Sequence, residues 1–148
     1  MKKVIGAIIL ICLAAVCLAG CQKKNETVSD KKEIEEFIMT AEAQSKIIKN
    51  SLEKDELTQN EMNLKSGELS ELWDAAMKQM LKEAEKMLDA EAAEKLYREQ
   101  EAWEEKRVQR IQDAGSGYEG GSIQALIVNM ENARLLEERA YELYELIK

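Results

Sequence analysis

The sequence has no histidine and no proline among its 148 residues. The lack of histidine excludes imidazole metal sites, Ser-His and Cys-His nucleophile pairs, and the usual proton shuttle of acid–base catalysis. We therefore expect no enzymatic activity, no metal and no cofactor. No segment alternates polar and apolar residues over a strand length, so β-strands are not predicted either.

Cysteine is scarce, and its three copies, Cys12, Cys17 and Cys21, all lie near the start of the chain. Two lysines precede an apolar run from Val4 to Val16, which is the layout of a secretory signal peptide. The run is at or below the length of a membrane-spanning helix. An uncleaved transmembrane anchor and a plain signal peptide are the alternative interpretations.

The tetrad Leu18-Ala19-Gly20-Cys21 resembles a bacterial lipobox. In proteins with that motif, the cysteine thiol receives a diacylglyceryl group and the preceding peptide is removed. We therefore predict a lipoprotein signal peptide over residues 1–20 and lipidation at Cys21. The protein would be exported and held by its lipid anchor on the outer face of a bacterial membrane, in the cell envelope.

The exported chain would have one domain and no disulfide, because Cys12 and Cys17 leave with the signal peptide and Cys21 carries the lipid. Residues 21–29 form the lipidated cysteine and a polar tether, and residues 30–148 form a helical domain. Loss of two lysines with the signal peptide leaves 19 basic and 29 acidic residues, a formal charge of −10. Such a chain repels nucleic acid and anionic lipid head groups, and attracts cationic proteins or the polycations of a cell wall.

Helix signals divide the domain into four segments, so the predicted fold class is all-α, a small bundle of about four helices. Asp30 with Glu33, and Thr58 with Glu61, have capping-box spacing. The first helix should run to about Leu52, and Asp89 can cap a third helix. Whether a turn or only a kink separates the second and third helices is left open. The fourth should run from about Ile123 to Ile147.

Helical spacing also predicts the buried faces. The core residues expected are Ile34, Phe37, Ile38, Ala41 and Ile48; Met62, Leu69, Leu72, Trp73, Ala76, Met80, Leu81, Ala84 and Leu88; Ala93, Leu96, Tyr97, Val108 and Ile111; and Ile123, Leu126, Ile127, Met130, Ala133, Tyr141 and Tyr144. A second ridge on the last helix, Val128, Leu135 and Leu146, indicates more than one neighbour or another copy.

A stripe of Leu96, Gln100, Trp103 and Arg107 falls within about 60° of the third helix. A buried amide and guanidinium need partners, and Asp74 or Glu61 is a plausible acceptor. The stripe is interpreted as a structural polar clamp with a cation–π contact, and a ligand site is the alternative.

Four glycines crowd the segment from Gly115 to Ser122. Three of them fit a nucleotide-binding G-x-G-x-x-G pattern, but that pattern needs a preceding strand and a helix precedes it here. An interhelical turn is the better interpretation. The carboxylate pairs Glu101/Glu105 and Glu137/Glu142 are interpreted as solvated surface, not as a glycosidase site.

Several of these features together resemble one family. Thr58-Gln59, Glu61-Met62-Asn63, Trp73-Asp74, Leu96-x-x-x-Gln100-x-x-Trp103-x-x-x-Arg107, Gly120-Gly121-Ser122 and Glu138-Arg139 ahead of Leu143 are similar to the LprI-like lysozyme-inhibitor N-terminal domain family over about residues 55–146. The resemblance implies a small, exported and often lipidated helical protein, and inhibition of lysozyme.

Two functions follow as hypotheses. In the first, the acidic domain captures a cationic protein such as lysozyme, with Ser116, Tyr118 and Glu119 in the glycine-rich loop as partner-binding residues. In the second, the protein is an envelope-assembly or adaptor lipoprotein that binds another envelope protein through its last helix. The oligomeric state is left open.

Overall fold

Four helices account for the fold in the computed structural model, which describes residues 28–148, with side chains from residue 31 onwards. They are α1 (Val28–Lys54), α2 (Gln59–Met87), α3 (Ala90–Gly115) and α4 (Gln124–Ile147). The described part contains no strand, and the all-α bundle is confirmed. The predicted signal peptide, Cys21 and residues 22–27 of the tether lie outside the described residues, and Val28 and Ser29 begin α1.

The starts of α2 and α3 lie where the sequence predicts them. Thr58 forms a complete capping box: its hydroxyl accepts from the Glu61 backbone N–H at 3.3 Å, and the Glu61 carboxylate accepts from the Thr58 backbone N–H at 2.8 Å. Asp89 caps α3 by accepting from the Ala92 backbone N–H at 2.9 Å. The prediction at Asp30 is wrong, because α1 already begins at Val28 and Asp30 lies inside its first turn.

The junction between α2 and α3 is a true turn made without glycine or proline. Leu88 and Asp89 both have extended backbone angles, with ψ of 152° and 171°. Two extended residues in succession interrupt the helical hydrogen bonds completely, and the Asp89 cap then restarts them. The open question of turn or kink is therefore settled as a turn.

The core lies mainly between α2 and α4, which make the most extensive contact in the bundle. Trp73 is fully buried at its centre, 5.7 Å from the Tyr141 ring. Around it pack Leu69, Ala76, Met77, Met80 and Ala84 of α2, and Ala133, Leu136, Ala140, Leu143 and Ile147 of α4. The methionines here pack as apolar side chains.

Each outer helix packs mainly on one helix of this pair. α1 packs on α2, and α3 packs on α4. Apolar side chains on one side of α1, Ile34, Ile38 and Ala41, pack into the core, and polar contacts add to this attachment. The Trp73 indole N–H donates to the Ser45 hydroxyl at 3.1 Å, and Lys49 pairs with Glu137 of α4 at 2.6 Å.

Burial, and then the neighbouring Glu42 carboxylate, raise the pKa of Tyr141 to about 12.

Some predicted core positions are wrong. Phe37, Tyr97 and Val108 are more than one-third exposed, because α1 and α3 each contact the bundle through a narrow face. Ile123, immediately before α4, is also exposed, whereas Leu136, Ala140, Leu143 and Ile147 of α4 are buried. α4 is apolar on most of its circumference, so periodicity alone does not select the side that meets α2.

Leu135, on the predicted second ridge of α4, is also buried, and α4 contacts both α2 and α3. The prediction of more than one neighbour for this helix is therefore confirmed. Among the described helices, none has a stretch both long and apolar enough to cross a membrane.

The capping box makes the stability of α2 depend on Thr58 and on pH. We expect Thr58→Ala to lower the free energy of unfolding by about 1 kcal/mol, because it leaves a backbone N–H without its side-chain partner. Chemical denaturation at neutral pH measures this change, and Thr40→Ala, an exposed threonine inside α1, is the control.

The Glu61 contribution should disappear in acid. Hydrogen bonds from Thr58 lower the pKa of the Glu61 carboxyl below its ordinary value of 4.5. The stabilisation is therefore complete above that value and lost as the pH falls through the lower folded-state pKa. The stability difference between the parent and Glu61→Gln should shrink across this range; a difference that does not vary with pH would contradict the assignment.

Candidate functional site

Two guanidinium groups lie near the ring of Trp103, one from α3 and one from α4. The Arg107 Cζ atom lies 5.6 Å from the indole centroid, and the Arg139 Cζ atom lies 5.8 Å from it. The ring itself is half-buried and packs against the core. The cation–π contact predicted for Arg107 is therefore present, and α4 supplies a second one.

Gln100 of α3 is buried and connects this helix with α2 and α4. Its Oε1 accepts from Arg139 Nε at 2.9 Å, and its Nε2 lies 3.5 Å from the Met77 sulfur. Arg139 is buried as well, and its Nη1 donates to Glu142 at 2.8 Å. Its Nη2 is enclosed without a hydrogen-bond partner, so the guanidinium is held by packing as well as by polar contacts.

Arg107 does not use either predicted acceptor. Its Nη2 pairs with Glu104 at 2.6 Å, and its Nη1 donates to Asn132 Oδ1 at 2.6 Å. Asp74 instead pairs with Lys78, four residues along α2, and Glu61 belongs to the capping box. Glu104 is the acceptor in place of Asp74 or Glu61 because it lies one helical turn before Arg107 on the same face of α3.

These contacts continue along α4 as a line of buried or half-buried polar side chains. Asn132 Nδ2 donates to the Ser70 hydroxyl at 2.6 Å. Asn129 Nδ2 donates to the Ser66 hydroxyl and to the Asn63 carbonyl, both at 3.2 Å. We call this line the polar seam; its members are Asn63, Ser66, Ser70, Gln100, Arg107, Asn129, Asn132 and Arg139.

The residues of α4 in the polar seam were missed by sequence reasoning, apart from Arg139, which entered only through the family resemblance. Asn129 and Asn132 lie three residues apart in a largely apolar helix, and that spacing puts both amides on one face. Two amides on the buried side of a helix need partners on the facing helix. This is the signal that would have found them.

The polar seam has the chemistry of a structural clamp. Its donors and acceptors are satisfied largely by one another, and the described residues contain no group of three or more acidic or cysteine side chains that could hold a metal. Of the four carboxylates weighed for glycosidase chemistry, Glu137 and Glu142 are in ion pairs, and Glu101 and Glu105 are exposed. Paired or solvated carboxylates lack the water-poor setting of a split acid–base pair.

The glycine-rich loop is built from three successive hydrogen-bonded turns. The backbone N–H groups of Tyr118, Gly121 and Gln124 donate to the carbonyls of residues 115, 118 and 121 at 3.1, 3.0 and 3.2 Å. Gly117 and Gly120 occupy the third position of the first two turns, with φ of +96° and +72°. These turns need the left-handed region there, which glycine adopts without strain.

The loop is also tied to its neighbours. Gly120 N–H donates to Gln124 Oε1 at 3.2 Å, and Asn63 Nδ2 of α2 donates to the Ser122 carbonyl at 2.8 Å. A β-carbon at Gly115 would lie 2.8 Å from Val128 Cγ2, so glycine permits the close approach of α3 to α4 at the loop. The glycine-rich loop is therefore braced and compact.

The three loop residues singled out by sequence have different environments. Ser116 ends α3, and its hydroxyl donates to the Asp113 carbonyl at 2.8 Å. The Tyr118 side chain is 45% exposed, and Glu119 is exposed beside it. Tyr118 and Glu119 are therefore displayed to solvent, whereas Ser116 fixes the backbone that displays them.

The loop and the Trp103 cluster are separate places on the molecule. Gly115 follows Trp103 by twelve residues along α3, which at 1.5 Å per residue is about 18 Å. On the second ridge of α4, Leu135 is 5% exposed, Val128 is half-buried and Leu146 is 57% exposed, so the bundle itself covers part of the surface of the last helix that an adaptor would use.

Comparison with known proteins supplies one match. The family described as lysozyme inhibitor LprI matches residues 49–143, a range that covers α2, α3, the polar seam, the glycine-rich loop and α4 as far as Leu143. The search of curated proteins gave no match, and neither did the search of solved structures.

Loss of the Trp103 ring should destabilise the bundle. We expect Trp103→Ala to cost about 3 kcal/mol, at the low end for tryptophan truncations because the ring is half-buried. Arg107→Ala should also lower the melting temperature, since it leaves Asn132 and Glu104 without their shared donor. Thermal melts followed by circular dichroism measure both, with Arg98→Ala, an exposed arginine of α3, as control. Melting temperatures equal to that of the parent would assign the cluster to the ligand alternative instead.

Proposed function

Since the chain belongs to the lysozyme inhibitor LprI family, we propose that it is an exported binding protein that captures and inhibits lysozyme at the cell envelope. The observation that carries the proposal is the family match over residues 49–143, which includes the braced loop with Tyr118 and Glu119 exposed on it. Inhibition of this kind requires a binding surface and no catalytic group.

The loop has the features of a contact point. Its backbone is fixed by three turns and by the Asn63–Ser122 hydrogen bond, so little conformational entropy is lost when a partner orders it. Tyr118 offers a large amphipathic ring on that rigid base. Tyrosine in such a position is a frequent hot spot of protein interfaces, since it buries much area at low entropic cost.

Charge supplies the attraction at longer range. The chain has 29 acidic residues against 21 basic ones, and Glu119 brings one carboxylate into the loop itself. A surface of this sign steers a cationic protein towards it and raises the rate of association. The proposal therefore assigns capture to the acidic surface and retention to the loop.

The anchor belongs to the same proposal. The lipobox sequence Leu18-Ala19-Gly20-Cys21 supports lipidation at Cys21, which would hold the inhibitor at the envelope, where lysozyme acts on the cell wall. We expect Cys21→Ala to remain unprocessed, with lower mobility on a gel and no incorporation of labelled palmitate. Unchanged mobility together with unchanged incorporation would contradict lipidation at this residue.

Tyr118 should control how long the complex lasts. We expect Tyr118→Ala to speed dissociation from lysozyme about tenfold or more, because a ring seated in a cleft contributes contact energy of at least about 1.4 kcal/mol. Tyr97→Ala is the matched control, since Tyr97 is 48% exposed but lies far along α3. Surface plasmon resonance on residues 22–148 measures both rates, and equal dissociation rates for the two variants would remove the loop from the interface.

Glu119 should control association more than dissociation. Glu119→Lys and Glu91→Lys change the net charge equally, but Glu91 lies about 36 Å from Gly115 along α3. At physiological salt the Debye length is about 8 Å, so only Glu119→Lys should slow association severalfold. Equal effects of the two variants, or binding that vanishes at physiological salt, would mean unspecific attraction between opposite charges.

A further inference from the structure

Two side-chain amides in the first turns of α2 hold the glycine-rich loop. Gln59 Nε2 donates to Asn63 Oδ1 at 2.9 Å, and Asn63 Nδ2 donates to the Ser122 carbonyl at 2.8 Å. Gln59 and Asn63 are both half-buried. We call Gln59, Asn63 and the Ser122 carbonyl the amide bridge, because together they join the start of α2 to the end of the loop.

The loop fixes the direction of both hydrogen bonds. A backbone carbonyl can only accept, so the nitrogen of the Asn63 amide must face Ser122. The oxygen of the same amide then faces Gln59, which must present its own nitrogen to it. Gln59 therefore holds the Asn63 amide in the one orientation that bonds the loop, and successive hydrogen bonds of this kind strengthen each other.

The backbone carbonyl of Asn63 is held as well. It accepts from the Ser66 hydroxyl at 2.9 Å and from Asn129 Nδ2 at 3.2 Å. Asn129 lies in α4, and α4 begins two residues after Ser122. The amide bridge is therefore attached to the packed α2–α4 interface through the polar seam, and it does not depend on the first turn of α2 alone.

The composition of the loop makes such a support important. Four of the eight residues from Gly115 to Ser122 are glycine. Glycine has more backbone freedom than any other residue, so a loop of this composition gains much entropy when it opens. A hydrogen bond at the end of the loop shifts the balance towards the ordered form, in which Tyr118 has a fixed position.

We propose that Gln59 and Asn63 are positioning residues for the binding of lysozyme, because they keep the loop ordered and Tyr118 in place. The proposal rests on the function proposed above, which assigns the contact to Tyr118. It adds that affinity depends on two residues of α2 that need not touch lysozyme. An ordered loop loses less conformational entropy on binding, so loss of the amide bridge weakens the complex without removing a contact.

The variant Gln59→Glu separates this role from a role in α2 alone. Gln59 is the first residue of α2, directly after the Thr58 N-cap, and a carboxylate there favours the helix because it faces the positive end of the helix dipole. Glutamate keeps the shape of the side chain but cannot donate to Asn63. Rotation of the Asn63 amide would restore that bond only by turning its oxygen towards the Ser122 carbonyl, so one hydrogen bond is lost in either orientation.

Amide hydrogen exchange, followed by NMR on the full chain purified in detergent, measures the order of the loop without a partner. The probes are the backbone N–H groups of Tyr118, Gly121 and Gln124, which close the three turns. We expect Gln59→Glu to speed their exchange about threefold to tenfold, the change that corresponds to loss of one hydrogen bond. Asn60→Asp, at an exposed residue outside the amide bridge, adds the same charge and should leave the exchange unchanged.

Surface plasmon resonance with the same proteins measures the consequence for lysozyme. Dissociation should be about threefold or more faster for Gln59→Glu than for Asn60→Asp, with equal association rates because the added charge is the same. In an Asn63→Ala background, Gln59→Glu should change neither the loop exchange nor the dissociation rate, because Gln59 acts through Asn63.

Three results overturn the proposal and leave the proposed function intact, provided that lysozyme still binds. They are equal loop exchange in Gln59→Glu and Asn60→Asp, faster exchange with unchanged dissociation, and an effect of Gln59→Glu that persists in the Asn63→Ala background. A parent protein that does not bind lysozyme refutes the proposed function and the role of the amide bridge in binding together.

Discussion

The contact between α2 and α4 is the interaction on which the rest of the structure depends. The described part of the chain contains no cysteine, so no disulfide holds these four helices together. Stability must come from burial of apolar area, and Trp73, Leu69, Met80, Leu136 and Leu143 supply it with side chains that have essentially no exposed surface. Both outer helices, and the loop between α3 and α4, take their positions from this pair.

The polar seam gives that packing its register. An apolar interface alone tolerates sliding and rotation of one helix on the other, but the Asn132–Ser70 and Asn129–Ser66 hydrogen bonds match α4 to α2 at defined residues. The Arg139–Gln100 and Arg107–Asn132 contacts extend the match to α3. Correct register in turn places residue 122 beside Asn63, and the hydrogen bond between them holds the loop that presents Tyr118.

Local signals in the sequence predicted the parts that depend on few residues. The Thr58 and Asp89 caps, the glycine turn and the Trp103–Arg107 contact all involve partners within a few residues of each other. Partners from other helices were harder to find. Arg107 was assigned to Asp74 or Glu61 because a sequence does not give the rotation of α3 relative to α2. The buried side of α4 was predicted only in part for the same reason. Ala133 is buried, and Met130, Tyr141 and Tyr144 pack against the core as expected, but Leu136, Ala140, Leu143 and Ile147 were not predicted, since apolar residues occur on most of the helix circumference.

The proposed function combines an acidic bundle, which a lipid on Cys21 would hold at the envelope, with a rigid tyrosine loop that would meet a cationic partner. Its central claim is that this partner is lysozyme and that binding stops the enzyme. Titration of lysozyme activity with residues 22–148 at physiological salt tests that claim most directly. The account predicts that hydrolysis of cell wall falls to a floor near one equivalent of the protein. Full lysozyme activity in the presence of a large excess of folded protein would contradict it.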